Sequence, residues 1–281
     1  MNETVVHFDC QGDRLIGILH QPTSAQKKIG VIIVVGGPQY RVGSHRQFTL
    51  MARTLATAGF PTLRFDYRGM GDSQGDFQGF EKIDEDIKSA IDVLFENISG
   101  LNGVILWGLC DAASACLIYA NRKDPRVTGL VVANPWVRTC SGEAKTYLKY
   151  YYIRRLIQKN FWKKLIFEGF YFKKSILEFL KVIKKIYVIN NDSSKEETYI
   201  NKILSGLELT EFPILMIFSQ NDLVAREFIA LSVSNACWSA TLNSKRINKI
   251  YVENADHTFS SGRSMEITNK CCIDWLDSNL C

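Results

Sequence analysis

The stretch of sequence that decides the fold is Gly103-Val-Ile-Leu-Trp-Gly-Leu-Cys-Asp-Ala-Ala-Ser-Ala-Cys-Leu-Ile-Tyr119. Its first five residues are an apolar run that predicts a buried strand, and residues 113–119 have the pattern of a helix. Between them, Cys110 is flanked by Gly108 and Ala112, two positions away on either side. This is the spacing of a nucleophile elbow, G-x-S-x-G, whose tight turn leaves no room for large side chains at the two flanking positions. Cys110 is therefore the candidate nucleophile, at a helix N-terminus that favours a thiolate.

Strand and helix patterns alternate along most of the chain, after a predicted N-terminal hairpin of two strands at residues 3–9 and 13–20. The further predicted strands cover residues 30–35, 61–65, 103–107, 127–133, 213–218 and 249–252, and the further helices about 46–58, 81–97, 224–236 and 263–278. This alternation predicts an α/β fold with a doubly wound, mostly parallel sheet. The fully apolar strands among them lack a period-two alternation, which agrees with a sheet covered on both faces.

The candidate partners of Cys110 follow other strands of this predicted sheet, at the carboxyl edge where such sheets bind their ligands. A cysteine nucleophile needs a base, and the base needs a group that orients it. His257 follows the last strand and is the predicted base; Asp222 follows the strand before it and is the predicted acid. Asp222 also directly precedes a helix, so an N-cap is the competing interpretation. Asp256 is a rival for the acid, but it is adjacent to the histidine and poorly placed to reach its ring.

An oxyanion hole needs two backbone N–H groups directed at the developing charge. Asp111, the residue after the nucleophile, supplies one of them. The loop at residues 36–39 supplies the other, with Gly37 as the first candidate and Gln39 as the alternative. We expect the Asp111 side chain to point away from the sulfur, along the start of the helix, where its charge is favourable. The predicted substrate-binding residues are Gly36, Gln39 and His45.

The same motifs resemble those of a known group of enzymes, the exosortase-A-system-associated hydrolases of type 1, within the α/β-hydrolase superfamily. The resemblance to this group rests mainly on three stretches, residues 36–46, 64–73 and 107–114. The superfamily resemblance extends over nearly the whole chain. It implies the α/β-hydrolase fold and a cytosolic, cofactor-free hydrolase with Cys110 as nucleophile, Asp222 as acid and His257 as base. The chain departs from the superfamily's usual serine at the nucleophile.

A cysteine nucleophile changes the expected reaction. Acylation of Cys110 would give a thioester, which passes its acyl group to amines, thiols and carbanions more readily, relative to water, than an oxygen ester does. Cysteine variants elsewhere in the superfamily include dienelactone hydrolases and ring-closing condensing enzymes. We therefore predict a Cys-His-Asp enzyme acting on acyl thioesters, as a thioesterase or acyltransferase. The alternatives are a lactone or carboxylester hydrolase and, in a different class, a catalytically silent binding protein of the same fold.

A basic segment separates the sixth and seventh predicted strands. Residues 138–186 contain thirteen Lys and Arg but three acidic residues, although the net charge of the whole chain is +5. Its position predicts a helical lid over residues 138–205, inserted between core segments 1–137 and 206–281. Three roles stay open: a lid whose aromatic residues cap an apolar substrate channel, a docking surface for an acyl carrier protein, and contact with a membrane surface.

Composition argues against several other classes of protein. No apolar run approaches the roughly 18 residues of a membrane span, and the opening residues do not resemble a signal peptide. The eight cysteines have neither C-x-x-C nor zinc spacing, so we expect reduced thiols in a cytoplasmic protein. The glycines at residues 69–75 have the wrong spacing for dinucleotide binding. We therefore predict a small-molecule acyl substrate, no metal, no cofactor and no nucleic-acid partner.

Overall fold

The computed structural model describes residues 1–23, 25–37, 39–137 and 193–280. Over these residues the strands are β1 (Asn2–Cys10), β2 (Asp13–Gln21), β3 (Ile29–Val34), β4 (Thr62–Asp66), β5 (Gly103–Leu109), β6 (Val127–Ala133), β7 (Ile214–Ser219) and β8 (Ile247–Val252). The α-helices are α1 (Gln47–Thr57), α2 (Asp84–Asn97), α3 (Asp111–Tyr119), α4 (Ser193–Leu209), α5 (Leu223–Ser234), α6 (Ala236–Leu242) and α7 (Gly262–Leu280).

The eight strands form one sheet in the order β1-β2-β4-β3-β5-β6-β7-β8. The hairpin β1–β2 and the β2–β4 pair are antiparallel, and every pair from β4 to β8 across the sheet is parallel. The central strands β3, β5 and β7 are buried at every position. The predicted hairpin and the mostly parallel, doubly wound sheet are confirmed.

Helices cover both faces of the sheet, and each face has its own apolar core. On one face, Phe48 of α1 and Trp275 of α7 pack against strand residues such as Ile33. On the other face, Ile87 of α2 and Leu117 of α3 are completely buried. Burial on both faces explains why these strands lack a polar alternation.

The region after β7 contains one helix more than the sequence pattern predicts. The helix predicted over residues 224–236 ends at Ser234, and α6 begins two residues later. Asn235 separates the two helices because its extended backbone ends α5, while its side chain accepts hydrogen bonds from the N–H groups of Cys237 (2.9 Å) and Trp238 (3.3 Å). An N-cap of this kind starts a new helix.

Helix α4 runs across the predicted boundary between lid and core, after residue 205. Its residues Tyr199, Ile203 and Leu207 belong to the core cluster that also contains Leu117 of α3. The helix is therefore packed on the core on both sides of that boundary. The remainder of the predicted lid, residues 138–192, lies outside the described residues. Among the helices that are described, none has the length and apolar character that crossing a membrane requires.

Candidate functional site

Cys110 lies at the junction between β5 and α3, where the strand turns directly into the helix. Its backbone has φ 63° and ψ −125°, a conformation that costs a non-glycine residue about 1–3 kcal/mol. Three backbone hydrogen bonds hold it there. Its N–H donates to the carbonyl of Ala133 (3.0 Å), and its own carbonyl accepts from the N–H groups of Ser114 and Trp136 (3.2 Å each). The sharp turn predicted from the sequence is present, and these three hydrogen bonds hold Cys110 in its strained backbone conformation.

The small residues on either side of Cys110 are required by close packing. A Cβ atom on Gly108 would lie 2.5 Å from the carbonyl oxygen of Ala112, well inside van der Waals contact. Ala112 itself is 1% exposed. The first turn of α3 therefore lies directly against the end of β5, and any added atom would push the two apart.

Asp222 and His257 meet at the carboxyl ends of β7 and β8. The Nδ1 atom of His257 lies 2.8 Å from Oδ2 of Asp222. The carboxylate of Asp222 also accepts hydrogen bonds from the N–H groups of Val224 (3.2 Å) and Ala225 (3.1 Å) at the start of α5. The two interpretations of Asp222 are thus compatible, because one carboxylate both caps the helix and orients the imidazole.

His257 lies between this carboxylate and the pocket that Cys110 also lines. Burial lowers the pKa of His257, but its interactions with Asp222 and Cys110 outweigh that effect and raise the pKa to about 10. The imidazole therefore keeps its proton near neutral pH. A protonated histidine beside a cysteine stabilises the thiolate, which is the nucleophilic form. The structure brings together the three residues that the sequence singled out.

The side chain of Asp111 lies where we did not expect it. It does not point away along α3 but turns toward the loop after β3, where its two carboxylate oxygens accept the N–H of Gly37 at 2.7 Å and 3.0 Å. It also accepts the N–H of Ala112 (3.0 Å). The expectation was wrong because position 36 has no side chain: a Cβ on Gly36 would lie 2.3 Å from Oδ1 of Asp111. Burial raises the pKa of this carboxyl group.

The alternative donor for the oxyanion hole, the N–H of Gln39, already has a hydrogen-bond partner. The backbone N–H of Gln39 donates to the carbonyl of Gly37 at 2.8 Å. The side-chain Oε1 of Gln39 accepts hydrogen bonds from the N–H (3.0 Å) and hydroxyl (3.2 Å) of Ser44. Of the N–H groups proposed for the oxyanion hole, that of Gly37 therefore binds the Asp111 carboxylate, and that of Gln39 is internal to its loop.

A pocket of about 380 Å³ opens over Cys110. Its lining is mainly apolar and comprises Gly36, Gly37, Gln39, Phe48, Phe80, Leu109, Cys110, Asp111, Trp136 and His257. Gly36 and Gln39 are in this lining, as predicted for substrate-binding residues, but His45 is not. His45 lies in the turn before α1 and interacts electrostatically with Asp256.

Asn134 is a part of the site that sequence reasoning missed. Its side chain is buried and has three hydrogen bonds: it accepts from the N–H of Ser219 (2.8 Å) and donates to the hydroxyl of Ser219 (2.9 Å) and the carbonyl of His257 (3.0 Å). It thereby ties the ends of β6 and β7 to the loop that carries the base. The available sequence signal was an asparagine directly after an apolar strand, because asparagine tolerates the left-handed region, and the φ of Asn134 is indeed 44°.

Comparison with known proteins agrees with this architecture. The sequence profile of the family described as serine aminopeptidase, S33, matches residues 26–185. A search of curated proteins finds no significant match.

Several solved structures are similar over almost the whole chain. The esterase Pf2001 of Pyrococcus furiosus is 14% identical with a TM-score of 0.65, covering 100% of this chain and 94% of that one. Est1E of Butyrivibrio proteoclasticus, solved with ferulic acid, is 14% identical with a TM-score of 0.64, covering 98% and 99%. The α/β hydrolase GrgF of Penicillium sp. sh18 is 18% identical with a TM-score of 0.66, covering 100% and 99%.

Proposed function

This chain belongs to the S33 serine aminopeptidase family of the α/β-hydrolase superfamily, and from that premise we propose that it is a Cys-His-Asp enzyme acting on acyl thioesters. The proposal rests on one observation: the imidazole of His257, held 2.8 Å from the carboxylate of Asp222, lines the same apolar pocket as Cys110 at its strained elbow. That arrangement supports a covalent acyl-cysteine intermediate, in the manner of a thioesterase or an acyltransferase.

In the first half of the reaction, the Cys110 thiolate attacks the carbonyl carbon of the substrate and forms a tetrahedral intermediate. Collapse of this intermediate breaks the bond to the leaving thiolate. The leaving thiolate takes the proton of the His257 imidazolium and departs as a thiol, while the acyl group stays on Cys110. The carboxylate of Asp222 holds the imidazole in position throughout.

In the second half, water or another acceptor gives a proton to the neutral imidazole of His257 as it attacks the acyl-cysteine. The Cys110 thiolate is expelled, and the product leaves as a carboxylic acid or as a transferred acyl group. The imidazolium and thiolate are thereby restored. Because the pKa of His257 is raised to about 10, we propose that each cycle starts from a thiolate on Cys110 beside an imidazolium on His257.

The pocket supports an apolar acyl group as the substrate. Phe48, Phe80, Leu109 and Trp136 contribute most of its side-chain wall. The polar groups within it, Cys110, Asp111, His257 and Gln39, surround the position of the reacting carbonyl. A small apolar chamber with few polar groups is the usual design of a site for small acyl ligands.

Hydrolysis of carboxylesters or lactones is the second candidate. Two of the similar solved structures are named as esterases, from Pyrococcus furiosus and Bacillus coagulans. The same acyl-cysteine intermediate would form, with an alcohol as the leaving group. A catalytically silent binding protein is the third candidate, and it predicts an unreactive Cys110.

Three narrower proposals follow from the sequence. We place the chain among the exosortase-A-system-associated hydrolases of type 1, on the strength of the motifs around residues 36–46, 64–73 and 107–114. The basic residues of segment 138–186, outside the described residues, would attract an acidic partner such as an acyl carrier protein, or a membrane surface. The cytoplasm is the proposed location.

The decisive experiment is intact-protein mass spectrometry after mixing with acyl thioesters, both free N-acetylcysteamine thioesters and carrier-bound ones. An acyl adduct on the wild type that is absent from Cys110→Ala is the expected result. The decay of that adduct in water and in added amine separates hydrolysis from transfer, and p-nitrophenyl esters tested in parallel measure the esterase alternative.

Cys237→Ser is the matched control for this experiment. Cys237 is an exposed thiol, but its hydrogen bond to Glu208 raises its pKa, so it is a poor nucleophile near neutral pH. We expect the Cys237→Ser variant to retain the full adduct. If Cys110 gives neither adduct nor product and also resists iodoacetamide, the catalytic proposal is wrong and the binding protein is correct.

A further inference from the structure

The carboxylate of Asp111 occupies a position that an enzyme of this kind needs for its substrate. The N–H groups of Gly37 and Ala112, here called the anion cradle, both donate to that carboxylate. Backbone N–H groups at a helix N-terminus and in a glycine loop are well suited to bind a negatively charged oxygen. In the structure, these N–H groups bind a carboxylate oxygen of the chain itself, that of Asp111.

This occupancy conflicts with acylation of Cys110. The tetrahedral intermediate places a negative oxygen beside the nucleophile, and the donors of the oxyanion hole must be free to receive it. The Gly37 N–H cannot serve a substrate oxygen while the Asp111 carboxylate holds it at 2.7 Å. A second anion beside the first would also be repelled. The carboxylate therefore has to leave before the carbonyl can react.

A second observation shows where the carboxylate can go. The hydroxyl of Tyr67 is buried, on a side chain that is only 1% exposed, and it has no hydrogen-bond partner in the described part of the chain. Tyr67 also lies at the same edge of the sheet as the carboxylate: Phe65 of β4 pairs with Val34 of β3, and Tyr67 and Gly36 each lie two residues beyond that pair. A Cβ on Gly36 would lie 2.3 Å from Oδ1 of Asp111, and the charge of Asp111 adds to the rise in the pKa of Tyr67 that burial causes. A buried hydroxyl without a partner is costly, and a carboxylate is a strong acceptor for it.

We propose that Asp111 gates the anion cradle: its carboxylate occupies the Gly37 N–H in the resting site and transfers to the Tyr67 hydroxyl when a substrate carbonyl enters. The gate rests on the proposed function, since it controls access to the same nucleophile. Its consequence is that the wild type carries an internal competitor for its own substrate. Removing the charge of Asp111 should therefore raise the rate of acylation.

The test compares two reactions of Cys110 in the wild type and in Asp111→Asn. Acylation by p-nitrophenyl butyrate, followed as a stopped-flow burst, needs the anion cradle. Alkylation by iodoacetamide forms no oxyanion and reports the thiolate alone. Because a neutral amide is held less tightly than a carboxylate, we expect the ratio of acylation to alkylation to rise roughly ten-fold. Asp111→Ala should raise it at least as much.

Tyr67→Phe tests the second position of the gate. Without the hydroxyl, the carboxylate stays in the anion cradle, and the ratio should fall several-fold in an otherwise wild-type chain. In the Asp111→Asn variant, adding Tyr67→Phe should leave the ratio of acylation to alkylation unchanged. Tyr119→Phe is the matched control, because it removes a hydroxyl that is bonded to Asp124, away from the pocket, and should leave the ratio unchanged.

A ratio that is unchanged or lower in Asp111→Asn overturns the gate and makes Asp111 a group that assists acylation. If Tyr67→Phe lowers the ratio of acylation to alkylation equally in the wild type and in Asp111→Asn, Tyr67 has no role in the gate. An NMR measurement on the glycine-labelled Cys110→Ala variant does not depend on the nucleophile. In that variant, the added substitution Asp111→Asn should move the resonance of the Gly37 amide proton upfield. An unchanged chemical shift overturns the gate. An unreactive Cys110 with a shifted Gly37 would instead reject the proposed function and keep the gate.

Discussion

Cys110 and His257 reach each other from two parts of the molecule that are built by different means. The nucleophile half, formed by β5, Cys110 and α3, is positioned by backbone hydrogen bonds and by the absence of side-chain atoms at Gly108. The acid–base half, formed by the loops after β7 and β8, is positioned by polar side chains. There Asp222 holds the imidazole ring, and Asn134 holds the carbonyl of the same residue.

This difference predicts that the two halves respond to different kinds of substitution. The nucleophile half is packed so closely that it should tolerate no added atom, because its backbone is already strained at Cys110. The acid–base half should instead be sensitive to the loss of polar atoms, since each one that is removed leaves a buried partner unsatisfied. Substitutions that add volume in one half and remove hydrogen bonds in the other would test this contrast.

The largest effect is expected in the acid–base half, from His257→Ala. Loss of the general acid and base should reduce turnover by about 10²- to 10⁴-fold. It should also change the pH dependence of alkylation by iodoacetamide. Because the pKa of His257 is about 10, the wild type keeps an imidazolium beside Cys110 at neutral pH, and that cation favours attack by the sulfur.

In the variant, alkylation near neutral pH should be several-fold slower than in the wild type, and the difference should shrink above about pH 10, where His257 loses its proton. Identical pH profiles for the two proteins would show that His257 does not stabilise the thiolate. Circular dichroism of both proteins checks that the fold is retained.

The next largest effect is expected in the nucleophile half, from Gly108→Val. The new Cβ would lie 2.5 Å from the Ala112 carbonyl, so β5 and α3 must separate. We expect a loss of about 3 kcal/mol in the free energy of unfolding, measured by urea denaturation, together with loss of Cys110 reactivity. Gly262→Ala is the control, since a Cβ there would meet no atom within 4 Å. Equal stability of both variants would contradict the close packing at the elbow.

A smaller effect is expected from Asn134→Ala, which removes a polar side chain and adds no volume. The Ser219 N–H and the His257 carbonyl would lose their partner, at a cost of about 1–3 kcal/mol in the free energy of unfolding. Turnover should fall because the base is less well positioned. The control is Asn97→Ala, whose side chain bonds only a helix carbonyl near the surface. If the two variants lose the same stability, the hydrogen bonds of Asn134 do not hold the His257 loop in place.

The smallest effect is expected from His45→Ala. The sequence placed this residue at the substrate, but the pocket lining does not include it. We expect kcat/KM to change by less than roughly two-fold, since surface substitutions away from a site have small effects. A large increase in KM with unchanged kcat would restore its predicted role in binding.

The local features of the fold were predictable because each depends on neighbouring residues. The apolar runs gave the parallel strands, and the small residues around Cys110 gave the elbow. The order of nucleophile, acid and histidine along the chain then assigned Asp222 and His257 to one edge of the sheet. Helix α6 was missed because Asn235 lies within a continuous helical pattern, and only its cap shows the break.

The amino-acid sequence by itself determined the sheet, the elbow and the identities of the three residues that meet there, because sterics and hydrophobic periodicity act over a few positions. The tertiary structure decided which polar groups those residues contact. Asp111 bonds a glycine 74 positions away, and Asn134 bonds the base loop 123 positions away. A side chain turns toward whichever donor or acceptor folding brings near it, and no local pattern specifies a partner at that distance.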